Sequence, residues 1–293
     1  MSSRSSFYVI DASSLIYRVF HGTPMKMSHQ GFPNNAIGGV ITALQWLFRQ
    51  HKIDYIVSAW GSPEKTFRHE IFPAYKAKRQ PMPDELKEQM PYIKQVFEAF
   101  HIPIVTSKTH ESDDVIATLA CTFADPDWDV TIYSSDKDFR QLLNDRIMMF
   151  DHRHNRFVNG EDHYRDWGIR ADQVVDFLAL TGDVVDGIPG VPGIGKTYAK
   201  ALILAFEDLD NLLESDEGDI YPKRHRKIKE EADQARLCRE LVRLKTDAPI
   251  DLDKGNIYTK WENLDALIEL CREVGLWRHA GDFQNLKMNR GEM

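Results

Sequence analysis

The chain has 293 residues, 42% of them hydrophobic, and a net charge of −8 from 45 acids against 37 bases. That is enough apolar material for one large or two small domains, and the sequence shows no apolar run of membrane-spanning length and no recognisable secretory signal, so neither a membrane span nor export is expected. Three widely spaced cysteines, Cys121, Cys238 and Cys271, offer neither a metal spacing nor a disulfide framework, and read as buried free thiols in a reducing cytoplasm.

In chain order, SFYVID (6–11), DYIVSAW (54–60), IPIV (102–105), DVTIYSS (129–135) and RIMMF (146–150) are short β-rich runs. Between them lie the helical patterns AIGGVITALQWLFRQH (36–51), DELKEQMPYIKQVFEAFH (84–101), ESDDVIATLACTFA (111–124) and DKDFRQLL (136–143). Strands alternating with helices predict an α/β domain built on a parallel sheet. From about Asp172 onward the patterns are helical, so a mostly helical second region packs onto the first.

The acids fall where such a sheet puts its chemistry, beyond the carboxyl ends of the strands. Asp11 ends the first strand, Asp136 and Asp138 follow DVTIYSS, and Glu111, Asp113 and Asp114 follow IPIV after a short loop. Asp183 and Asp186 sit in TGDVVDG, after the apolar helix QVVDFLAL. Taken singly, each has an ordinary reading as a turn residue or a helix cap. Jointly, eight carboxylates at one rim cannot all stay ionised without cations, and a set of oxygen donors with no His or Cys suits Mg²⁺ or Mn²⁺.

The acidic total hides two basic stretches. KTFRHEIFPAYKAKR (65–79) holds Lys65, Arg68, Lys76, Lys78 and Arg79 against the single acid Glu70. PKRHRKIK (222–229) includes Lys223, Arg224, Arg226 and Lys227, and reads either as a phosphate footprint or as a solvated helix face. GVPGIGKT (190–197) fits the phosphate-loop pattern of NTPases letter for letter, but no buried strand runs into it. The alternative is a helix–hairpin–helix: Gly190, Gly193 and Gly195 permit a tight turn, and Lys196, Thr197 and Lys200 lie on the first turn of the next helix. Such a helix start holds a phosphate without reading a base.

With VIDASSLIYR, KTFRHEIFPAYKAKRQPMP, ESDDVIATLA, SSDKDF and FLALTGDVVDGIPGVPGIGKTYA in view, the chain resembles the 5′-nuclease family: flap endonucleases, phage 5′-exonucleases and the 5′→3′ exonuclease domain of bacterial DNA polymerase I. The resemblance runs from about Tyr8 to Asp247 and implies a free-standing nuclease. It implies a PIN-like parallel-sheet nuclease domain over 1–171 with a helical arch at about 62–100. A helical H3TH-type (helix–hairpin–helix) DNA-binding region over 172–293 would follow. Asp11, Glu111, Asp113 and Asp114 would belong to a first metal site, and Asp136, Asp138, Asp183 and Asp186 to a second. Lys76 and Arg79 match basic residues aimed at the scissile phosphate, and Arg68 matches another basic position on the DNA. Two Mg²⁺ or Mn²⁺ ions would serve the phosphate, with a K⁺ at the hairpin near 191–194.

The activity so implied is metal-dependent 5′→3′ exonuclease or flap endonuclease cleavage of DNA at 5′ ends, flaps or junctions, in replication or repair. RNA in RNA–DNA hybrids is a further implied substrate. The resemblance also implies a monomer, with no membrane partner, in the cytoplasm of a bacterial or phage-infected cell. One position departs from the family pattern: where an acidic metal ligand belongs after the second strand, this chain has Gly61. Glu64 or a water would have to fill the place. The alternative is a structure-specific DNA-binding protein of the same fold with weakened catalysis.

Overall fold

SSFYVID forms β1 (Ser5–Asp11). Phe7 and Val9 point to one face of the sheet while Tyr8 and Ile10 point to the other, the period-2 alternation of a strand buried on both sides. The computed structural model describes residues 4–61, 65–216, 222–252, 257 and 262–291. Around β1 stand β2 (Tyr55–Ala59), β3 (Ile104–Val105), β4 (Trp128–Tyr133), β5 (Ile147–Asp151) and β6 (Arg156–Val158), in the order β3-β2-β1-β4-β5-β6. All pairs are parallel except β5 with β6, an edge strand outside the sequence expectation. Only three residues long, β6 closes the sheet by a short return from β5.

The chain steps from β1 outward to β2 and β3, then returns to the other side of β1 as β4. That reversal opens a crevice at the carboxyl ends of β1 and β4, where open parallel sheets place their ligands. One face of the sheet is covered by α1 (Ala12–Gly22), α2 (Asn35–Gln50) and α4 (Asp84–Ala99). The other is covered by α5 (Ser112–Phe123) and by a short 3₁₀ helix, Lys137–Leu142. Of the span read as an arch, α3 (Phe67–Ile71) and the turns after it stand over the carboxyl edge of the sheet, whereas α4 is a core helix that buries Leu86, Ile93, Val96 and Phe97.

The helices after residue 172 divide between two cores. With α6 (Gly160–Trp167) leading in, α7 (Val174–Thr181), α8 (Lys196–Phe206), α9 (Leu209–Glu214), α10 (Pro222–Glu230) and α11 (Ala232–Val242) pack around a core of their own. The last two, α12 (Leu264–Glu273) and α13 (Trp277–Asn289), instead add Leu267, Cys271 and Phe283 to the core under α1 and α2. Cys238 and Cys271 are buried free thiols; Cys121, expected buried, is exposed because it lies on the outer side of α5.

Candidate metal and phosphate site

Asp11 is both the last residue of β1 and the cap of α1, so the strand-to-helix turn fixes its carboxylate in the crevice. The side chain, 3% exposed, accepts from Ser14 N at 2.9 Å and from Ser134 Oγ at 2.7 Å. Burial, which outweighs those hydrogen bonds, pushes its pKa up to about 6, and Asp136 adds to the push. Asp136 follows β4 and caps the 3₁₀ helix, accepting from Asp138 N at 3.0 Å. For Asp138 burial, and then the charge of Asp136, raise the pKa to about 7 against the pull of Lys137.

Asp113 and Glu111 enter from the start of α5. Burial holds the Asp113 pKa well above the usual carboxylate range; Lys76 opposes it, while Asp136, Asp11 and Glu111 reinforce it. Asp183 and Asp186 enter from the turn after α7, which closes on itself through the Asp183–Ile188 bridge. Burial would raise the Asp183 pKa, but Lys137 and the backbone N–H groups of Val185 and Asp186 hold it below the usual range. Seven of the eight expected acids therefore face one crevice.

Two corrections concern the eighth acid and one of the bases. Asp114 is fully buried, and its oxygens take Arg68 Nη1 at 2.6 Å, Arg68 Nη2 at 2.7 Å, Lys245 N at 2.9 Å and Glu111 N at 3.2 Å. Every lone-pair direction is thus spent inside the protein, leaving none for a metal. Arg68, 1% exposed, is equally enclosed and is no DNA contact. The helical period explains this: Asp113 and Asp114 sit about 100° apart on α5, so one faces the crevice and the other the core.

Lys76 and Arg79 stand beside these acids. Lys76 Nζ lies 3.0 Å from both Glu111 oxygens, 3.7 Å from Asp186 and 3.9 Å from Asp113. Burial disfavours the Lys76 ammonium, but the carboxylates of Asp113, Glu111 and Asp186 outweigh it and raise the pKa. Lys76 also has φ +54°, a left-handed conformation uncommon for a non-glycine residue. Its N–H donates to Asp186 O at 2.9 Å, which ties the basic segment to the acidic turn. Arg79 Nη2 donates to Asp186 Oδ1 at 2.7 Å.

Sequence reasoning missed two participants. Tyr75 donates to Glu111 Oε2 at 2.9 Å, and its place beside Lys76 in AYKAKR was the available signal. Lys137, between two of the expected acids in SSDKDF, reaches Asp138 Oδ1 at 3.3 Å and ion-pairs with Asp183. Among the described residues no three His, Cys, Asp or Glu side chains form a finished metal cage; ammonium groups stand between the carboxylates instead. The donor set still fits hard divalent cations: it is all oxygen, and the buried Asp138 Oδ1 accepts no hydrogen bond, having only the Lys137 ammonium near it at 3.3 Å. Gly61 follows β2 with open space where a side chain would go, the nearest atom being Ser112 Oγ at 4.0 Å from an added Cβ. Glu64 lies outside the described residues.

GVPGIGKT leads from the Asp183–Ile188 turn into α8, with no strand before it, so the hairpin reading holds and the NTPase loop does not. Gly190, at φ +68°, packs against the end of α7 so closely that an added Cβ would sit 2.6 Å from Thr181 C. Gly195 caps α8 without a side-chain hydrogen bond, and Lys196 and Thr197 are exposed on its first turn, whereas Lys200 is half-buried near Gly168. From α10, Lys227 reaches toward Gly193 and the Arg224 guanidinium lies over the Tyr198 ring at 3.1 Å. Lys223 and Arg226 are exposed on the same helix. Hairpin and basic helix thus form one surface.

Two family models cover the chain: "5'-3' exonuclease, N-terminal resolvase-like domain" over residues 6–168 and "5'-3' exonuclease, C-terminal SAM fold" over 169–265. The chain is 32% identical to the 5'-3' exonuclease of Aquifex aeolicus, with 92% of each covered. It is 33% identical to the flap endonuclease Xni of Shewanella loihica, over 85% of this chain and 95% of that one. DNA polymerase I of Rhizobium leguminosarum is 35% identical over 94% of this chain, which spans only 28% of that polymerase. In fold it is similar to T5 5'-exonuclease, at 22% identity and a TM-score of 0.69, over 96% of this chain and 98% of that one. The two family models together cover most of the sequence and meet where the sheet domain gives way to helices, and on that ground the chain belongs to the 5′-3′ exonuclease family.

Proposed function

We propose that the protein is a divalent-metal-dependent 5′→3′ exonuclease and flap endonuclease that hydrolyses DNA phosphodiesters at 5′ ends, flaps and junctions. The observation that carries this reading is the crevice itself: Asp11, Glu111, Asp113, Asp136, Asp138, Asp183 and Asp186 gathered beneath Lys76 and Arg79. Mg²⁺ or Mn²⁺, when bound by these acids, neutralises charge on the phosphate and eases proton loss from water.

The chain's own groups set the rest. Lys76 and Arg79 give the anionic phosphate an entry flanked by positive charge, a preorganised electrostatic role. Tyr75 fixes Glu111 and, at 3.5 Å, borders Asp186. The Ser14 backbone N–H, in the cap of α1, and the Ser134 hydroxyl both donate to Asp11 and hold that carboxylate's orientation. The uncapped start of α8, with Lys196 and Thr197, offers unpaired N–H groups to a backbone phosphate of the duplex. Lys223, Arg224, Arg226 and Lys227 extend that contact, and a K⁺ on the hairpin carbonyls near 191–194 completes it. We propose further that RNA in RNA–DNA hybrids is accepted and that a monomer acts in the cytoplasm.

The test is a 5′-labelled flap duplex incubated with Mg²⁺ or Mn²⁺. Release of short 5′-phosphorylated products, abolished by Asp136→Asn, is the expected outcome. Intact substrate under both metals overturns the reading.

A further inference from the structure

Three neighbouring strand ends carry or brace the crevice acids. β1 ends on Asp11, β4 runs into Ser134, Ser135 and Asp136, and β5 ends one residue before His152. Asp11 and Asp136 repel, the charge of Asp136 being one of the influences that push the Asp11 pKa up. Two turns that bear like charges spread apart unless something ties them. Ser134 is one tie: its hydroxyl donates to Asp11 Oδ2 at 2.7 Å and accepts from Asp136 N at 3.0 Å.

A second tie stands behind the acids without touching them. The His152 ring, on a residue 7% exposed, hydrogen-bonds Ser14 Oγ through Nε2 at 3.1 Å and Ser135 Oγ through Nδ1 at 2.8 Å. Ser14 is the residue whose N–H donates to Asp11, and Ser135 immediately precedes Asp136. A neutral imidazole offers one N–H and one lone pair, and a serine hydroxyl either donates or accepts, so both bonds form in either tautomer.

The histidine is itself held firmly. Asp151 Oδ1 accepts from Arg153 N at 3.0 Å and His154 N at 3.3 Å, Arg18 Nη1 donates to His152 O at 3.3 Å, and the Tyr133 ring lies 5.2 Å from the imidazole. Arg153 N also donates to Ser135 Oγ at 3.0 Å. Burial, with Arg18 adding to it, keeps the imidazole neutral. An ammonium in its place would pair with the acids and compete with a divalent cation, whereas a neutral ring braces the two turns and leaves their charge free.

We infer that His152 is a positioning residue of the metal site: it fixes the turn bearing Asp11 against the turn bearing Asp136, and so sets the affinity for the divalent cation. The inference rests on the metal reading of the crevice given above.

The experiment is a calorimetric titration of the whole chain with Mn²⁺, without substrate. His152→Phe keeps a ring beside Tyr133 and loses both nitrogens. It should weaken Mn²⁺ binding about tenfold, the lower end of what is lost when a partner behind a metal ligand is removed. His152→Asn, whose amide oxygen takes the place of Nδ1 beside Ser135, should recover part of that loss. Ser135→Ala should also weaken Mn²⁺, and combined with His152→Phe it should lose less than the two separate losses together, because both delete one bond. A general loosening of the fold would instead add. A thermal melt in chelating buffer verifies that each variant is folded; should His152→Phe unfold below the titration temperature, Ser14→Ala replaces it, since that change deletes the other end of the bridge. Unchanged Mn²⁺ affinity in the single variants overturns the inference, as do fully additive losses or a His152→Asn that binds no better than His152→Phe. No Mn²⁺ binding by the wild type overturns the metal reading and this inference together, whereas wild-type binding that the variants leave intact overturns this inference alone.

Discussion

Arg68 and Asp114 form a two-pronged ion pair at 2.6 and 2.7 Å with neither side chain more than 1% exposed. Arg68 also donates from Nε to Leu241 O and from Nη2 to Arg243 O, each at 2.9 Å, so the pair fastens the end of α11 to the start of α5. The arginine thereby joins the helical body to the sheet domain. Breaking one partner of such a pair leaves an uncompensated buried charge, at a cost of about 3–5 kcal/mol. Arg68→Ala should therefore lower the urea midpoint sharply and, below its unfolding range, leave flap affinity unchanged. A variant of normal stability that loses DNA would reverse the assignment.

Burial, reinforced by neighbouring carboxylates, holds Asp11, Asp113 and Asp138 above the usual carboxylate range. Asp138, with a folded pKa of about 7, lies far above the ordinary value of an unfolded aspartate, about 3.9. Between those values the unfolded chain gives up the proton first, so this group's contribution to stability is lost as pH rises from about 4 to 7. In a chelating buffer at pH 8, Asp138→Asn should be more stable than the wild type by about 1–3 kcal/mol. Divalent cations should raise the wild-type melting temperature and raise that of the variant less. Equal melting temperatures with and without Mn²⁺ would contradict this.

Lys76 and Arg79 differ in setting although both lie over the acids. The Lys76 side chain is 10% exposed and bridges three carboxylates, whereas that of Arg79 is 52% exposed and pairs with Asp186. Removing a preorganised charge-stabilising group costs about 10²–10³ in kcat. Lys76→Ala should suffer that loss at nearly constant KM, and Arg79→Ala a smaller loss in kcat with a rise in KM. Steady-state cleavage of a labelled flap separates the two, and a Lys76→Ala defect confined to KM would remove it from the chemistry.

Gly61 stands beside the crevice with room for a side chain and no left-handed backbone to forbid one. Gly61→Asp should add an oxygen donor without strain. The expected result is tighter Mn²⁺ binding by calorimetry, together with faster cleavage at low metal concentration. Unchanged affinity would mean that the position does not face the cation.

The parallel sheet and the acids at the carboxyl ends of its strands were legible because strand runs alternating with helices and strand-end acids are local patterns, whereas the strand order was not. What also stayed hidden was direction within a motif. ESDD reads as a single ligand set, but the helical period turns Asp113 to the crevice and Asp114 to Arg68, a residue 46 positions away in sequence. Arg68 looked like a DNA contact for the same reason: charge pattern says nothing about which charges find buried partners. Lys137 was overlooked because its partner Asp183 lies on another element, and only tertiary packing brings them together. α12 and α13 show ordinary amphipathic faces, and nothing local indicates that their partner is the first domain's core rather than the neighbouring helices.

Two histidines make the fold sensitive to acid. Burial, the largest influence, lowers the His152 pKa to about 3, with Arg18 adding to it. Burial likewise lowers that of His163 to about 4, reinforced by Arg140. Both lie below the unfolded value of about 6.5, so above neutral pH each is uncharged in either state and has no effect on the pH dependence. As pH falls through about 6.5, the unfolded chain takes up protons that the folded chain refuses. Stability then drops by about 1.4 kcal/mol per pH unit for each histidine until the folded values are reached. Asp11 and Asp138, with raised folded values, slope the other way over the same interval, so the readout is the difference between the two curves. From pH 6 to 4.5 the stability of His163→Gln relative to the wild type should rise by about 1.4 kcal/mol per pH unit, whatever its effect at pH 8. Chemical denaturation across that interval gives the slopes directly, and parallel lines for wild type and variant would show that His163 titrates alike in the folded and unfolded chains.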